Sequence, residues 1–327
     1  RVMTAEQSNT SLVFDERIIV KLFRRPVEGD NPEVEMTAAL VAQGFGAVAA
    51  PMGTQRGAGY HLAIAQPFLS GGVDGWALAL TSLRDLFGVH DTAQMPIINF
   101  DSPPPPSDPG QAGGDFSAEA RRLGETTAAM HVALAESLGR HPGDPAGWSD
   151  DVAKRLGSVE HPDLDLSPAA EIVEALRRAD VGPSLRVHGD FHLGQVMRTD
   201  AGWYVLDFEG EPARTVDERR RPSSPLRDVA GMLRSFHYAA AVACGERDDA
   251  AWELGMAWEA RNRKAFLDGY LPIAAGAGIL PGDDQSISAV LVALELEKAA
   301  YELAYERAYR PEWEAIPLAA LRRLTRG

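Results

Sequence analysis

The sequence predicts an α+β protein of two lobes, a small β-rich lobe over residues 1–69 and a large, mostly helical lobe over residues 70–327. Three observations predict it. β-Branched and aromatic runs crowd the first segment around one helical pattern, long amphipathic patterns dominate the second, and a short β-like insertion between Leu185 and Leu206 interrupts those helices.

Composition permits such a fold and narrows what it can bind. The chain has 327 residues, 45% of them hydrophobic and 24% charged, which suits one large domain or two lobes with a shared core and excludes a disordered or collagen-like chain. Lys and Arg number 32 against 47 Asp and Glu, a net charge of −15. That balance argues against nucleic acid, whose phosphate backbone is bound by clustered cations. Cys244 has no second cysteine to pair with, so no disulfide framework is expected. There is no basic-plus-apolar leader and no long apolar run, so no membrane partner is expected and a cytoplasmic location is. Arg1-Val2-Met3 reads like the tail of a strand, as in a fragment of something longer.

Ser11–Phe14 and Arg17–Phe23 are strand-like runs around Asp15-Glu16, a hairpin pattern. Pro32 suits the first position of a helix whose apolar residues Val34, Met36, Leu40 and Val41 recur until Gly44. Tyr60–Phe68 reads as a further strand, followed by Leu69-Ser-Gly-Gly72 at the lobe boundary. Ser102–Pro109, rich in proline, reads as a surface loop. Ala118–Leu138, Leu226–Ala243, Ala250–Tyr270 and Ile287–Tyr309 carry helical periodicity, while Leu185–Val187, Gln195–Met197 and Trp203–Leu206 are short strand-like pieces.

The chemistry concentrates in Val187-His-Gly-Asp-Phe-His-Leu-Gly-Gln195, followed by Leu206-Asp-Phe-Glu209. Asp190 and Gln195 stand at the spacing of the base and the metal-binding amide of a kinase catalytic loop, and Asp207-Phe208 occupies the place of the second metal-binding element. Phosphoryl transfer to a hydroxyl needs a carboxylate beside the attacking oxygen and hard oxygen ligands for Mg²⁺, and Asp190, Gln195 and Asp207 supply them. A transition-metal site of a metallohydrolase built on His188, Asp190 and His192 is a competing reading, weakened by the absence of a second histidine cluster. Buried support of the catalytic loop is one role for His188, and substrate contact is the other.

A kinase also needs a strand lysine paired with a helix carboxylate. Lys21 fits, with Glu35 as its expected partner and Glu33 as the alternative. No G-x-G-x-x-G precedes it. Glu6–Ser11 stands there instead, and Ser8, Asn9, Thr10 and Ser11 offer hydroxyl, amide and backbone donors to phosphate oxygens.

On Glu6–Ser11, Leu22-Phe-Arg-Arg25, His188–Gln195, Leu206–Pro212, Arg221–Phe236, Tyr301–Glu306 and Arg310-Pro-Glu-Trp313, the chain resembles the actinobacterial maltokinases, relatives of the aminoglycoside phosphotransferases. The resemblance implies a two-lobe eukaryotic-protein-kinase-like fold, without that family's N-terminal cap subdomain. It implies ATP- and Mg²⁺-dependent phosphorylation of maltose at the anomeric hydroxyl, giving maltose 1-phosphate for α-glucan and glycogen synthesis, and fusion to or association with trehalose synthase. Asp190 would then deprotonate the hydroxyl, Gln195 and Asp207 would hold Mg²⁺, and the Gln66–Phe68 segment would meet adenine. Glu302, Tyr305 and Trp313 would contact the sugar, although Tyr301, Tyr305 and Tyr309 also recur at core helical spacing. A glucosamine or aminoglycoside kinase on the same fold is the enzyme alternative, and a non-catalytic nucleotide-binding regulator is the other. Asp228 is expected to hold catalytic-loop N–H groups, Arg219-Arg-Arg221 to be a solvated run, and Glu209 to join the surroundings of the metal or to support the turn.

Overall fold

The computed structural model describes residues 2–3, 9–26, 28–94, 110, 114–162, 164–212 and 214–326. Strands β1 (Val2–Met3), β2 (Asn9–Phe14) and β3 (Ile18–Phe23) form an antiparallel meander. Asp15 and Glu16 both have positive φ, at 49° and 52°, the handedness that matches the twist of a tight hairpin. Arg17 N–H closes the turn on Phe14 O at 3.0 Å. Helix α1 (Pro32–Ala42) starts where the Asn31 side chain accepts from Glu33 N–H, and it buries Met36 and Leu40. Strands β4 (Gly53–Gly57) and β5 (Tyr60–Pro67) complete a five-stranded sheet of order β1-β2-β3-β5-β4. The pattern reading omits β4 because Gly-Thr-Gln-Arg-Gly has no apolar alternation; as an edge strand it is held by its backbone alone.

Beyond Gly72 the chain is mostly helical. Strand β6 (Val73–Asp74) leads into α2 (Gly75–Gln94), and α3 (Ser117–Leu138) follows the proline-rich Ser102–Pro109 segment, which lies outside the described residues. Two-residue strands β7 (His141–Pro142) and β8 (Pro183–Ser184) bracket α4 (Pro145–Gly157) and α5 (Ala169–Arg178). Strands β9 (Val196–Thr199) and β10 (Gly202–Val205) join β6 in a three-stranded sheet. The expected strand Leu185–Val187 is reduced to a single bridge between Leu185 and Ser223.

After α6 (Val216–Arg220) come α7 (Leu226–Cys244), α8 (Asp249–Gly276), α9 (Asp284–Tyr309) and α10 (Ala315–Thr325). Helix α7 is buried along nearly its whole length and packs against α2, α8 and α9. Phe116, Phe236, Trp258, Phe266 and Tyr270 form the aromatic centre of this lobe, their neighbouring ring centroids 5.8 to 6.3 Å apart. Helices α3 and α8 cross with backbones in contact. A Cβ on Gly124 would stand 2.1 Å from Phe266 O, and one on Gly269 would stand 2.2 Å from Arg121 O. The two lobes join where Val205 N–H donates to Ala47 O at 2.8 Å and Val48 bridges Val205, which carries the hairpin β9–β10 to the floor of the sheet.

Candidate active site

The loop from His188 to the 3₁₀ turn Leu193–Gln195 is held from below by one carboxylate. Asp228, in the first turn of α7, accepts the N–H of His188 at 2.7 Å and that of Gly189 at 2.8 Å. Its Oδ2 also lies 2.9 Å from Nε2 of His131, whose Nδ1 is 2.9 Å from the Tyr270 hydroxyl. These bonds, His131 foremost, hold the Asp228 carboxyl below its ordinary range in spite of full burial. Gly189 has a φ of 84°, a left-handed turn that glycine takes without cost just before Asp190.

His188 is 1% exposed. Its Nε2 donates to Leu206 O at 2.8 Å and its ring packs against Phe191 and Phe208. The substrate contact expected of it is therefore corrected: His188 ties the loop to the strand leading into Asp207.

Lys21 is the centre of the nucleotide side. Its Nζ lies 2.7 Å from Glu33, 2.7 Å from Asp207 and 3.8 Å from Glu209. The expected pairing with Glu35 is corrected, because Glu35 faces the other way and accepts from Arg186 Nη1 at 2.8 Å. Burial pushes the Glu33 carboxyl up to about 7 against the pull of Lys21, and raises Glu209 as well. Lys21 holds Asp207 down. Asp207 has a φ of 58°, a conformation that Asp tolerates better than most residues, and the glycine of the kinase Asp-Phe-Gly pattern is missing two residues on. Glu209, standing where that glycine would be, accepts from Asn9 Nδ2 at 2.7 Å.

These groups line a cleft of about 790 Å³ that includes Asn9, Ser11, Lys21, Gln66, Phe68, Gln195, Asp207 and Glu209. Thr10 does not line it: alternate residues of β2 face opposite sides, and Thr10 Oγ1 instead accepts from Arg24 at 2.8 Å. Ser8 lies outside the described residues. Gln66 donates to Ala49 O at 2.8 Å and Phe68 N–H to Arg17 O at 2.9 Å, which fixes the inter-lobe segment. Arg219, expected in a solvated run, lines the same cleft and donates to Glu209 O at 3.2 Å.

The donor set suits Mg²⁺. Asp207 and the Gln195 amide are 3.5 Å apart, and oxygens of Glu33, Asp207 and Glu209 lie within 4.8 Å of one another, hard ligands without a thiolate or imidazole.

Beside Asp190 the structure brings up a residue that pattern reading missed. Lys298, on α9, lies 3.4 Å from Asp190 Oδ1, and with Tyr301 and Glu211 it walls a small pocket next to Gly189. Of the four lysines in the chain, 21, 154, 264 and 298, only Lys21 and Lys298 are paired with the Asp residues of the two motifs, a bias that the sequence already carries. Glu302 is turned elsewhere and accepts from Arg234 at 2.7 and 2.9 Å. Tyr305 packs between Tyr301 and Tyr309, and Trp313 lies under Arg310, 4.3 Å from its ring centre, beside Tyr238. Glu302 and Tyr305, on α9, and Trp313, in the 3₁₀ turn Pro311–Trp313 that follows it, thus make their recorded contacts with protein side chains, Glu302 also lying near enough to Lys298 to interact with its charge.

The kinase-like fold, with Asp190, Asp207 and the strand lysine Lys21 brought together as described, is that of a phosphotransferase that uses ATP and Mg²⁺ and has an alcohol group as acceptor. A family model described as the phosphotransferase enzyme family matches residues 106–261. The chain is 28% identical over 336 residues to a glucosamine kinase of Streptacidiphilus jiangxiensis, covering 97% of this chain and 71% of that protein. It is 28% identical over 342 residues to a glucosamine kinase of Mycolicibacterium smegmatis (strain ATCC 700084 / mc(2)155), covering 98% of this chain and 78% of that one. A solved glucosamine kinase in complex with glucosamine, ADP and inorganic phosphate superposes with a TM-score of 0.77 at 27% identity, over 99% of this chain and 79% of that chain. Among the described residues, no helix is long and apolar enough to cross a membrane.

Proposed function

We propose that the chain is a glucosamine kinase, transferring the γ-phosphoryl group of ATP to a hydroxyl of that amino sugar. The observation that carries this reading is the similarity to glucosamine kinases over nearly the whole chain, catalytic loop and α9 included. It replaces the maltose reading, because the two relatives described above are glucosamine kinases.

In this reading Asp190 accepts the proton of the attacking hydroxyl, and Asp228, acting through His188 and Gly189, holds the loop that carries it. Gln195 and Asp207 hold Mg²⁺, which when bound neutralises charge on the β- and γ-phosphates. Lys21, kept in place by Glu33, binds phosphate oxygens from the sheet side. Asn9 and Ser11 line the nucleotide side of the cleft, and Gln66–Phe68 meets adenine.

Incubating the protein with ATP and Mg²⁺ and, separately, glucosamine, maltose, glucose and kanamycin tests the proposal by mass spectrometry. A gain of one phosphate on glucosamine is expected. Labelling of maltose alone would restore the maltose reading, and labelling of no sugar would remove the sugar-kinase reading.

A further inference from the structure

Asp190 faces a cation that arrives from far along the chain. Lys298 Nζ is 3.4 Å from Asp190 Oδ1 and lies over the Tyr301 ring at 5.0 Å from its centre. The nearer candidate, His192 two residues after Asp190, cannot supply charge there. It is half-buried, desolvation lowers its pKa, and its Nδ1 accepts the N–H of Gly194 at 3.0 Å, a bond that needs this nitrogen unprotonated. Residue choice adds a second observation. The chain has 28 arginines and only four lysines, and the other two lysines outside the cleft, Lys154 and Lys264, are exposed. Where this chain needs a cation for a buried pair elsewhere it uses Arg, as at Arg234–Glu302 and Arg227–Glu297. A compact ammonium with three rotatable donors can change partner without moving its stem, whereas a planar guanidinium is fitted to one.

Resting on the kinase reading above, we propose that Lys298 is a catalytic residue whose ammonium pairs with the Asp190 carboxylate before transfer and with the new phosphate ester after it. In the step, the acceptor oxygen forms its bond to the γ-phosphorus and the bond from that phosphorus to the bridging oxygen breaks, its electron pair leaving with ADP. The hydroxyl proton passes to Asp190. Negative charge thus leaves the carboxylate and appears on the sugar phosphate, while Lys298 stays protonated and keeps a counter-ion at both ends of the reaction. Such fixed charge at the place where negative charge develops is what lowers the barrier.

The experiment uses whichever sugar the parent chain phosphorylates, so an inactive parent overturns the function proposed above and leaves Lys298 out of account. Lys298→Met should lower kcat by about 10²- to 10³-fold with KM for ATP little changed. Calorimetry supplies a readout independent of turnover: the variant should bind the phosphorylated product at least about tenfold more weakly, a loss of ~1.4 kcal/mol, and bind the unphosphorylated sugar as well as the parent or better. Equal loss for sugar and product, or no loss for either, overturns the proposal. Chemical rescue separates charge from shape. Lys298→Cys treated with 2-bromoethylamine regains an ammonium at nearly the original length, and Cys244, 1% exposed, is the single other thiol. Activity should return with bromoethylamine and not with iodoacetamide, the treated parent serving as control; equal return with both reagents overturns the proposal. Should the Cys variant fail to fold, Lys298→Gln, judged by its ATP affinity, carries the same product-against-sugar comparison.

Discussion

Arg186 Nη1 donates to Glu35 at 2.8 Å, joining the segment that enters the catalytic loop to the helix that carries Glu33. Two other nitrogens of this guanidinium, Nε and Nη2, are buried without a partner, so Glu35 is its one recorded acceptor. The pair fixes α1 in height above the loop, and through α1 it fixes the carboxylate that holds Lys21. Glu35→Gln should lower unfolding free energy by about 1–3 kcal/mol in urea titrations and raise KM for ATP. Unchanged KM with unchanged stability would show that the pair positions nothing.

Asp190 and Asp207 are the two carboxylates of the motif, yet they face different partners, Lys298 and Lys21. Asp190→Asn should reduce kcat by about 10²- to 10⁴-fold while ATP binds as before by calorimetry. Asp207→Asn should weaken binding of Mg²⁺ and ATP together by at least about tenfold. Equal loss of nucleotide binding in both variants would contradict the division of roles.

Glu33 and Asp228 give opposite pH signatures. Burial raises Glu33 from 4.5 to about 7. The folded state therefore holds this proton more tightly than the unfolded chain, and the contribution is full below pH 4.5 and lost as pH rises to 7. In the protein without nucleotide or metal, the stability of the parent relative to Glu33→Gln should fall across that window and level off above it. Thermal melts at matched ionic strength read the trend, and a flat difference would contradict it.

Asp228 is shifted downward from 3.8, so its contribution is present above that pH and disappears as pH falls further. Asp228→Asn should cost about 3–5 kcal/mol at pH 7, because one face of the amide can no longer accept both loop N–H groups and His131. The gap to the parent should narrow on acidification. A variant as stable as the parent at pH 7 would show that the loop is held by other means.

Helices α3 and α8 offer a test away from the chemistry. Gly124→Ala places a methyl 2.1 Å from Phe266 O, which only a shift of backbone can relieve. A loss of about 1–3 kcal/mol is expected in urea unfolding, and no loss would mean that the crossing has slack.

The ordered motif was readable because Asp190, Gln195 and Asp207 belong to one short stretch whose spacing survives folding, and Lys21 sits in a β-branched and aromatic run that marks a strand. Errors arose where a face had to be chosen. Glu33 and Glu35 differ by about 200° around a helix, and which of them meets Lys21 depends on how α1 docks on the sheet, which its own residues do not state. Thr10 was grouped with its neighbours although a strand sends adjacent side chains to opposite sides. Helix α9 is buried on most of its circumference, with Glu295, Glu297 and Glu306 inside, so polarity gives no clue to which turn faces Asp190. Lys298 was therefore passed over in favour of Glu302, Tyr305 and Trp313. Helix α2 and strand β4 escaped notice because glycine opens both, β4 has no clean alternation, and the Asp74 side chain that caps α2 by accepting from Ala77 N–H at 3.0 Å follows directly on the Gly71-Gly72 boundary.

The bare crossing at Gly124 and Gly269 sets where this molecule can bend. Side chains between two helices act as a compliant layer on which one can slide over the other, and here that layer is missing. The α3–α8 pair is therefore stiff against shear, and the aromatic cluster beside it adds to the block. Between the lobes run the covalent connection through Gln66–Gly72, the backbone bond from Val205 to Ala47, and the side-chain pairs Lys21–Asp207, Asn9–Glu209 and Arg186–Glu35. Any movement of one lobe against the other must therefore stretch those side-chain pairs, while the α3–α8 block moves as a unit.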